Sequence, residues 1–378
     1  MERSKKIRVV PTSFDWSDLG SFESLYDYFI DSGYPKDDQG NIVIGTDIFT
    51  GFVKKLLKES IDRIIIVGSG TSYHSGVAAK DFIEKMTGRE VTVEYPYVFI
   101  DHANYYKGKA YVIGISQSGT STSTIDALQK AKQLGYPTIA ITGEDDSAIL
   151  EFSEDDMIMP CGKELAGPKT KGYVVTVLML YTLALELAVE SQKFKHDNYD
   201  RYIKQIYQLV DNLPHVIEAS LSWYDKNKQD MIKAQKISVV GYRQNYATAM
   251  EGALKLLECV RCPAAPYEFE EYLHGPYNAI DEDSYIILIK SPGEEETRSK
   301  LLYEIACEYT EHVYVISNEN TDDDKWLNAN FYNENCYTPL EYIVPIQVLA
   351  ACIPPEIGID PFIPKYPDFH RRMHSKIY

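Results

Sequence analysis

Short apolar runs alternate with helix-like stretches along most of the chain. The β-branched run after Arg63 predicts a buried parallel strand, because strands covered on both faces read as continuous apolar stretches. The first half contains predicted strands at 63–68, 91–95, 111–116, 138–142 and 157–159, and predicted helices at 47–60, 75–86, 122–134 and from Tyr173 onwards. A second series has predicted strands at 236–241, 285–291 and 312–317 and predicted helices at 246–259, 294–307 and 342–351.

This rhythm predicts two α/β units. Strands that alternate with helices favour right-handed βαβ connections and parallel sheets. We therefore predict one unit at 47–200 and a second at 201–360, with a polar segment at 1–46 and a tail at 361–378. The polar helical region around Asn198–Asn212 is predicted to join the two units. Ligands of such sheets bind at the carboxyl ends of the strands, so the turns at those ends are the places to search for chemistry.

Composition narrows the possible partners. The chain has 378 residues and a formal net charge of −18, which opposes binding to nucleic acid or to an anionic membrane. The longest apolar stretch, Tyr173–Leu185, is too short to cross a bilayer. Six sparse cysteines show no disulfide framework, which predicts a cytoplasmic protein. Cys259 and Cys262 form a single C-x-x-C, which favours buried packing over metal or redox use, and no metal is predicted.

Two turns carry hydroxyl groups where strands end. The turn Gly68–Ser72 (GSGTS) follows the first strand and combines glycine with the hydroxyls of Thr71 and Ser72. Ser116–Thr124 (SQSGTSTST) follows a later strand, is rich in Ser and Thr, and has no charged residue. Hydroxyls and N–H groups that converge on a helix N-terminus form a phosphate site, whereas the first turn by itself also fits a tight strand-to-helix connection. The loop lacks the lysine of the P-loop pattern, so nucleotide hydrolysis is not expected.

A third motif lies on the predicted helix Ala249–Glu258. Glu251, Lys255 and Glu258 are spaced i, i+4, i+7 and share one face, a pattern that by itself is typical of a solvated salt-bridge stripe. Sixteen residues later comes His274, followed by Gly-Pro. A carboxylate base and a histidine are the minimum set for moving a proton between adjacent sugar carbons.

Taken together, these motifs resemble the isomerase half of glucosamine-6-phosphate synthase and, more broadly, the tandem sugar-isomerase (SIS) domain family. The resemblance covers roughly residues 47–360. It implies an α/β fold of two SIS-type doubly wound, flavodoxin-like parallel-sheet domains with flanking helices. It also implies a sugar phosphate substrate, no cofactor, and a homodimer whose two subunits share the active site.

The resemblance assigns a role to each matching residue. Glu258 matches the base that moves a proton between C1 and C2, Glu251 and Lys255 match its partners on the helix, and His274 matches a ring-opening histidine supplied by the neighbouring subunit. Phosphate binding is implied for Ser72, Ser116, Gln117, Ser118 and Ser121, and sugar contact for Gly70, Thr71, Lys169 and Thr170.

Several departures from the synthase leave the reaction open. A glutaminase domain is absent from the sequence, so glutamine-driven amide transfer is not expected, and Lys169 replaces a serine. The tail DFHRRMHSKIY is similar to the basic tails of fructosamine-type deglycases. Lys376 is therefore either a lysine that approaches the sugar carbonyl or an exposed terminal lysine. The second half lacks a hydroxyl loop, which predicts one phosphate site per chain.

Three classes of function fit these observations. The first is an enzyme that acts on an open-chain sugar or amino-sugar 6-phosphate, either an aldose–ketose isomerase or a fructosamine-6-phosphate-type deglycase. The second is a phosphosugar-binding sensor without catalysis. The third is a partner subunit, suggested because Val9–Phe29 resembles the end of the catalytic domain of sugar-1-phosphate nucleotidyltransferases of the mannose guanylyltransferase type.

Overall fold

The first half of the protein forms a five-stranded parallel sheet. The structure, a computed structural model, describes residues 53–58, 61–161, 164, 167–194, 196–290, 296–332 and 336–377. The strands are β1 (Arg63–Val67), β2 (Glu90–Glu94), β3 (Ala110–Ile115), β4 (Thr138–Thr142) and β5 (Asp155–Ile158). Their order across the sheet is β2-β1-β3-β4-β5, and every neighbouring pair is parallel.

The second half repeats this arrangement. Its strands are β6 (Ile237–Gly241), β7 (Ala264–Glu268), β8 (Tyr285–Ile289), β9 (Val313–Ser317) and β10 (Trp326–Asn328). Read from β7, the order is β7-β6-β8-β9-β10, which is again second, first, third, fourth and fifth. This is the flavodoxin-like order, whose ligand crevice lies between the first and third strands. The predicted fold class, two doubly wound parallel-sheet domains, is confirmed.

Helices flank both sheets. In the first half they are α1 (Thr71–Thr87), α2 (Pro96–His102), α3 (Thr122–Gln133) and α4 (Lys171–Glu190). From the long helix onwards they are α5 (His196–Met231), α6 (Asn245–Cys259), α7 (Phe269–Tyr272), α8 (Glu296–Ala306), α9 (Thr338–Glu341), α10 (Val344–Glu356) and α11 (Phe369–Arg372). Short 3₁₀ turns lie at Ala103–Tyr105, Ala148–Phe152 and Pro276–Ala279. The predicted segment 1–46 lies outside the described residues, and the four domain boundaries stay predictions.

The apolar helix α4 is a central core element. It spans 20 residues with a mean hydropathy of 1.9 in its most apolar window, so by length and composition it passes the test for a membrane span, contrary to our prediction. However, 83% of that window is buried inside the protein, where α4 packs against α1 and the first sheet. Burial in the core explains the composition of this helix.

Two strands and one long helix differ from the sequence predictions. Strand β7 was not predicted because Pro266 lies in its middle. β7 is an edge strand, and an edge strand tolerates proline because its outer side forms no hydrogen bonds with another strand. Strand β10 has only three residues. The predicted link around Asn198–Asn212 lies inside α5, a single helix of 36 residues that contains Pro214.

Candidate active site

The loop 116–124, called the serine loop here, connects β3 to α3 at the carboxyl edge of the first sheet. The N–H of Ser116 donates to Ile141 O at 3.0 Å, and the N–H of Gly143 donates to Gln117 O at 2.8 Å, so the next strand fixes the start of the loop. Gly119 has φ of +60°, and a Cβ there would lie 2.0 Å from Ser147 Oγ. The tight turn therefore requires glycine at this position.

The hydroxyls of the serine loop are close to one another. Ser118 Oγ lies 2.9 Å from Thr120 Oγ1, and Thr124 Oγ1 donates to Ser121 Oγ at 3.2 Å. Ser121 occupies the N-cap position of α3 without making a side-chain cap, so its hydroxyl is not used by the first N–H groups of the helix. Neutral donors at a helix N-terminus suit a monophosphate.

The turn Gly68–Ser72 follows β1 and lies against the end of β3, where the serine loop begins. Gly70 has φ of +55° and precedes α1, which begins at Thr71. A Cβ on Gly68 would lie 3.2 Å from Ile115 O at the end of β3, so this turn packs closely on the neighbouring strand. β1 and β3 are the first and third strands of the sheet, and their two hydroxyl turns therefore flank its switch point.

Helix α6 carries three charged residues with different surroundings. Glu251 and Lys255 are buried, with 0% and 1% of their side chains exposed, whereas 37% of the Glu258 side chain is exposed. Lys255 Nζ donates to Glu258 Oε2 at 2.6 Å and lies 3.5 Å from Glu251 Oε1. A solvated stripe is therefore the wrong interpretation for Glu251 and Lys255, and only Glu258 reaches solvent.

The buried ammonium of Lys255 is held by its two carboxylate neighbours. Burial acts against the charge, but Glu251 and Glu258 raise the pKa of Lys255 to about 12. Lys255 is consequently a permanent cation at physiological pH. It orients Glu258 and cannot serve as a base.

Helix α1 contacts helix α6 through Glu251. Thr71 Oγ1 donates to Glu251 Oε1 at 3.0 Å, and His74 Nδ1 lies 2.8 Å from Glu251 Oε2. The turn Gly68–Ser72 with the start of α1 and the charged helix of the second half are thereby joined at one carboxylate. Sequence analysis assigned Thr71 to sugar binding and missed His74, although the i, i+3 spacing places both on one helix face.

Glu164, a buried carboxylate seven residues before α4 begins, was not among the predicted site residues. It accepts N–H bonds from Thr170 at 2.7 Å, Lys171 at 2.8 Å and Gly172 at 3.2 Å. It also accepts a bond from Gln117 Nε2 at 2.5 Å, while Lys169 Nζ donates to its backbone carbonyl at 3.0 Å. Glu164 therefore joins the serine loop to the segment that contains Lys169 and Thr170.

The C-terminal tail lies across the serine loop. Lys376 and Ser121 form an antiparallel bridge, and the N–H of Ile377 donates to Thr120 O at 2.9 Å. The N–H of Thr122 donates to Ser375 O at 3.3 Å. The tail thus places the backbone of Lys376 beside the serine loop, and the residue is half-buried. The approach of Lys376 to a sugar carbonyl stays a prediction.

His274 is separate from this cluster within one chain. It is exposed, it follows α7, and its backbone N–H donates to Glu271 O at 3.0 Å. Among the described residues, no hydrogen bond joins its side chain to Glu258 or to the serine loop. The assignment of His274 to a neighbouring subunit's site stays a prediction.

The cysteines at the end of α6 are poor nucleophiles. Burial raises the pKa of the Cys259 thiol to about 12, and it also raises the pKa of Cys262. Both thiols are therefore protonated near neutral pH, when a thiolate would be needed for metal binding or redox chemistry. Across the described ranges, no group of three or more His, Cys, Asp or Glu side chains is placed to hold a metal ion.

Comparison with known proteins gives the family. The profile of the SIS domain matches residues 56–186 and 230–323, which together are more than half of the chain. The chain belongs to the SIS domain family. Its two SIS segments are arranged in tandem, one around each parallel sheet.

Individual SIS relatives agree with this placement. A candidate phosphosugar isomerase from Clostridium difficile 630 is 31% identical with a TM-score of 0.86, and the match covers 96% of this chain and 98% of that one. A candidate sugar binding protein from Salmonella typhimurium LT2 is 30% identical with a TM-score of 0.79, over 90% of this chain and 100% of that one. The glutamine–fructose-6-phosphate aminotransferase [isomerizing] of Caldanaerobacter subterraneus is 28% identical over 308 residues, which are 80% of this chain and 50% of that protein. The chain thus spans about half the length of the curated relatives it matches.

Within this tandem SIS fold, contacts join the predicted site residues in two groups. Thr71 contacts Glu251, which lies beside Lys255 and Glu258, and Gln117 contacts Glu164, which also holds Lys169 and Thr170. Within a single chain, His274 belongs to neither group. The roles assigned to individual residues remain predictions, since the contacts establish neighbours and not chemistry.

Proposed function

We propose that this SIS protein is an enzyme that moves a proton between C1 and C2 of an open-chain sugar or amino-sugar 6-phosphate. The observation that carries the proposal is the contact between Lys255 and Glu258: a buried permanent cation holds, at 2.6 Å, a carboxylate that reaches solvent. A general base must be both fixed in position and accessible to its substrate. Glu258 meets both requirements.

In the proposed reaction, neutral donors bind the phosphate and charged groups carry out the chemistry. The serine loop and Ser72 bind the phosphate through hydroxyls and N–H groups, which do not add to the charge of the site. Glu258 removes the proton from one of the two carbons and gives an enediol or enolamine. Return of the proton to the other carbon completes an aldose–ketose isomerisation. With a fructosamine 6-phosphate, protonation of the enolamine at C2 gives a C1 imine, and addition of water to that imine releases the amine and leaves an aldose 6-phosphate, which completes a deglycation.

The tail supports the participation of an amine in this reaction. The backbone bridge from Lys376 to Ser121 brings a lysine to the edge of the proposed phosphate site. An ammonium or amine there can contact the carbonyl oxygen of an open-chain sugar. The proposal therefore assigns Lys376 to the carbonyl end of the substrate, in agreement with a deglycase-type tail.

Solvent exchange tests the proposal directly. The protein is incubated in D₂O with fructose 6-phosphate, glucosamine 6-phosphate or a fructosamine 6-phosphate, and each sugar is examined by NMR. We expect deuterium at C1 or C2 of at least one substrate, and release of free amine identifies a deglycase. If no phosphosugar acquires deuterium at either carbon, and none is isomerised or releases an amine, proton transfer by Glu258 is excluded for these substrates.

A binding protein without catalysis is the second candidate, favoured by the likeness to the Salmonella sugar binding protein. A sensor and an enzyme should both be stabilised by their ligand, by about 2.7 kcal/mol at a hundred times the dissociation constant. Only the enzyme should also exchange the C1 or C2 proton. Stabilisation by a sugar phosphate without exchange would therefore favour the sensor.

A further inference from the structure

His74 lies beside the site in a position that the proposed reaction does not use. It is in the first turn of α1, three residues after Thr71, and only 12% of its side chain is exposed. Its Nδ1 atom is 2.8 Å from Glu251 Oε2. A half-buried histidine paired with a fully buried carboxylate requires an explanation, because ionisable groups are rarely buried unless their contacts matter.

The two oxygens of Glu251 have separate partners. Oε2 contacts His74, while Oε1 accepts from Thr71 at 3.0 Å and lies 3.5 Å from Lys255 Nζ. Among the described residues, the nearby buried hydroxyl of Tyr173 has no hydrogen-bond partner and so does not hold the carboxylate. His74 is consequently the group that fixes Oε2, and with it the plane of the carboxylate.

The plane of Glu251 determines where Lys255 can lie. The Lys255 ammonium is placed between Glu251 and Glu258, and its contact with Glu258 is the shorter one, at 2.6 Å against 3.5 Å. Rotation of Glu251 would move its negative charge relative to this ammonium and so move Glu258. The contacts form one continuous path from α1 to the exposed carboxylate on α6.

We propose that His74 is a positioning residue, which donates from Nδ1 to Glu251 and thereby fixes Lys255 and Glu258 for proton transfer. This inference rests on the proposed function, because it concerns the alignment of its base. His74 does not contact the substrate in this account. Its effect reaches the reaction through two side chains, and small displacements of a reacting group are enough to matter: a shift of about 1 Å can reduce a rate by about 100-fold.

The tautomer of His74 tests the contact without any activity. With ¹⁵N-histidine labelling, long-range ¹H–¹⁵N correlation spectra distinguish an Nδ1–H ring from an Nε2–H ring, and His74→Asn identifies the signal among the eight histidines. We expect an Nδ1–H or doubly protonated ring in the wild type and a changed signal in Glu251→Gln. A neutral Nε2–H ring that is unaffected by Glu251→Gln would overturn the inference.

Kinetics of matched variants test the consequence. His74→Ala removes the donor, His74→Asn keeps an N–H donor near the Nδ1 position, and His102→Asn changes an exposed histidine of the same domain as a control. We expect His74→Ala to lower kcat by about 10- to 100-fold with little change in KM, His74→Asn to recover most of kcat, and the control to match the wild type.

A purely structural role gives different results. If both His74 variants lower the unfolding midpoint yet keep kcat, or if Asn is as impaired in kcat as Ala, His74 does not position the base. If the wild type exchanges no proton with any phosphosugar, the proposed function fails first, and the inference about a catalytic role fails with it. In that case the tautomer result still decides whether the contact between His74 and Glu251 exists.

Discussion

Lys376 and Ser121 are joined by an antiparallel backbone bridge, so the end of the tail forms part of the wall of the serine loop. The base of the tail is held elsewhere: Arg261, two residues after α6 ends, donates to Asp360 O at 3.2 Å and to Ile363 O at 2.6 Å. The tail is therefore fixed to the second half at its base and to the first half at its end. Its lysine is presented to the site by main-chain contacts.

Lys376→Met should impair the reaction and leave the tail in place. The bridge uses backbone atoms and survives the substitution, whereas the amine at the carbonyl end of the substrate is lost. We expect turnover to fall by about 100-fold, the size typical of a lost acid–base group, as measured with the substrate that the D₂O experiment identifies. Lys365→Met, an exposed lysine of the same tail, is the control. If Lys376→Met keeps the turnover of the wild type, Lys376 is an ordinary terminal lysine that takes no part in the reaction.

Glu258→Gln should abolish proton transfer without abolishing binding. The amide keeps a contact for Lys255 but cannot accept a proton from carbon, so kcat should fall by about 10²- to 10⁴-fold. Calorimetry with fructose 6-phosphate should show an affinity close to that of the wild type, because the phosphate donors are on other elements. Glu304→Gln, on an exposed face of α8, should have no effect. Retained turnover in Glu258→Gln would assign the base to another residue.

Mixed subunits test the prediction that His274 acts across a dimer. Glu258→Gln and His274→Asn chains should each be inactive, but a mixture that is unfolded and refolded together should recover activity. Random pairing places both intact groups in one of the two sites of each mixed dimer, so up to about a quarter of wild-type activity is expected. Light scattering provides the oligomeric state. No recovery in a mixture that does form dimers would place both groups in one chain's site.

Gly119→Ala should destabilise the protein by more than the cost of placing alanine at a positive φ. Gly119 and Gly135 both have positive φ, +60° and +74°, but a Cβ on Gly119 meets Ser147 Oγ at 2.0 Å while one on Gly135 meets nothing within 4 Å. Gly119→Ala and Gly135→Ala both lose stability because alanine is strained at a positive φ. Only Gly119→Ala also loses about 1–3 kcal/mol through the steric clash of the new methyl group. Urea unfolding of the two variants measures the difference, and binding of inorganic phosphate should weaken in Gly119→Ala alone. Equal destabilisation would show that the loop relaxes around the new methyl group.

Lys255→Met should be strongly destabilising because it leaves Glu251 as a buried charge without its cation, a change that costs about 3–5 kcal/mol. The contribution of Lys255 also has a defined pH range. The folded pKa, raised from 10.5 to about 12, means that its stabilisation is complete below pH 10.5 and is lost as the pH rises through 12. Urea unfolding at pH 8 and across that range should show this loss in the wild type and not in Lys255→Met. Lys226→Met, which breaks an exposed pair with Asp324, should cost at most about 1 kcal/mol.

Much of the fold was predictable because its strands are short, apolar and rich in β-branched residues. Runs such as Ile64–Val67 are buried on both faces, so their composition gives a clear signal. β7 and β10 could not be predicted in this way, because they are edge strands with less burial, and β7 contains a proline. Strand order within each sheet followed from the family resemblance and not from the residues.

The site was predictable only where its residues form local motifs. Glu251, Lys255 and Glu258 lie on one helix, so their spacing gave the shared face, but it could not show that two of them are buried. Glu164 gave no signal because most of its partners are backbone N–H groups that converge on it only after α4 forms, and Gln117 lies 47 residues earlier in the chain. His74 stands within the GSGTSYHSG turn, yet its partner is far away in the chain and the contact exists only once the two halves pack together.

Because Glu251 contacts residues of both halves, it can couple ligand binding in the first half to a side-chain position in the second. Thr71, which begins the helix beside the phosphate turn, shares Glu251 with the lysine that holds the base. If phosphate binds at the start of α1 as proposed, a rearrangement that it causes there should reach Glu258, and thermodynamic linkage requires the reverse effect to be equally large. An anion without a sugar, such as inorganic phosphate, would then shift the position of the proposed base in addition to competing with the substrate.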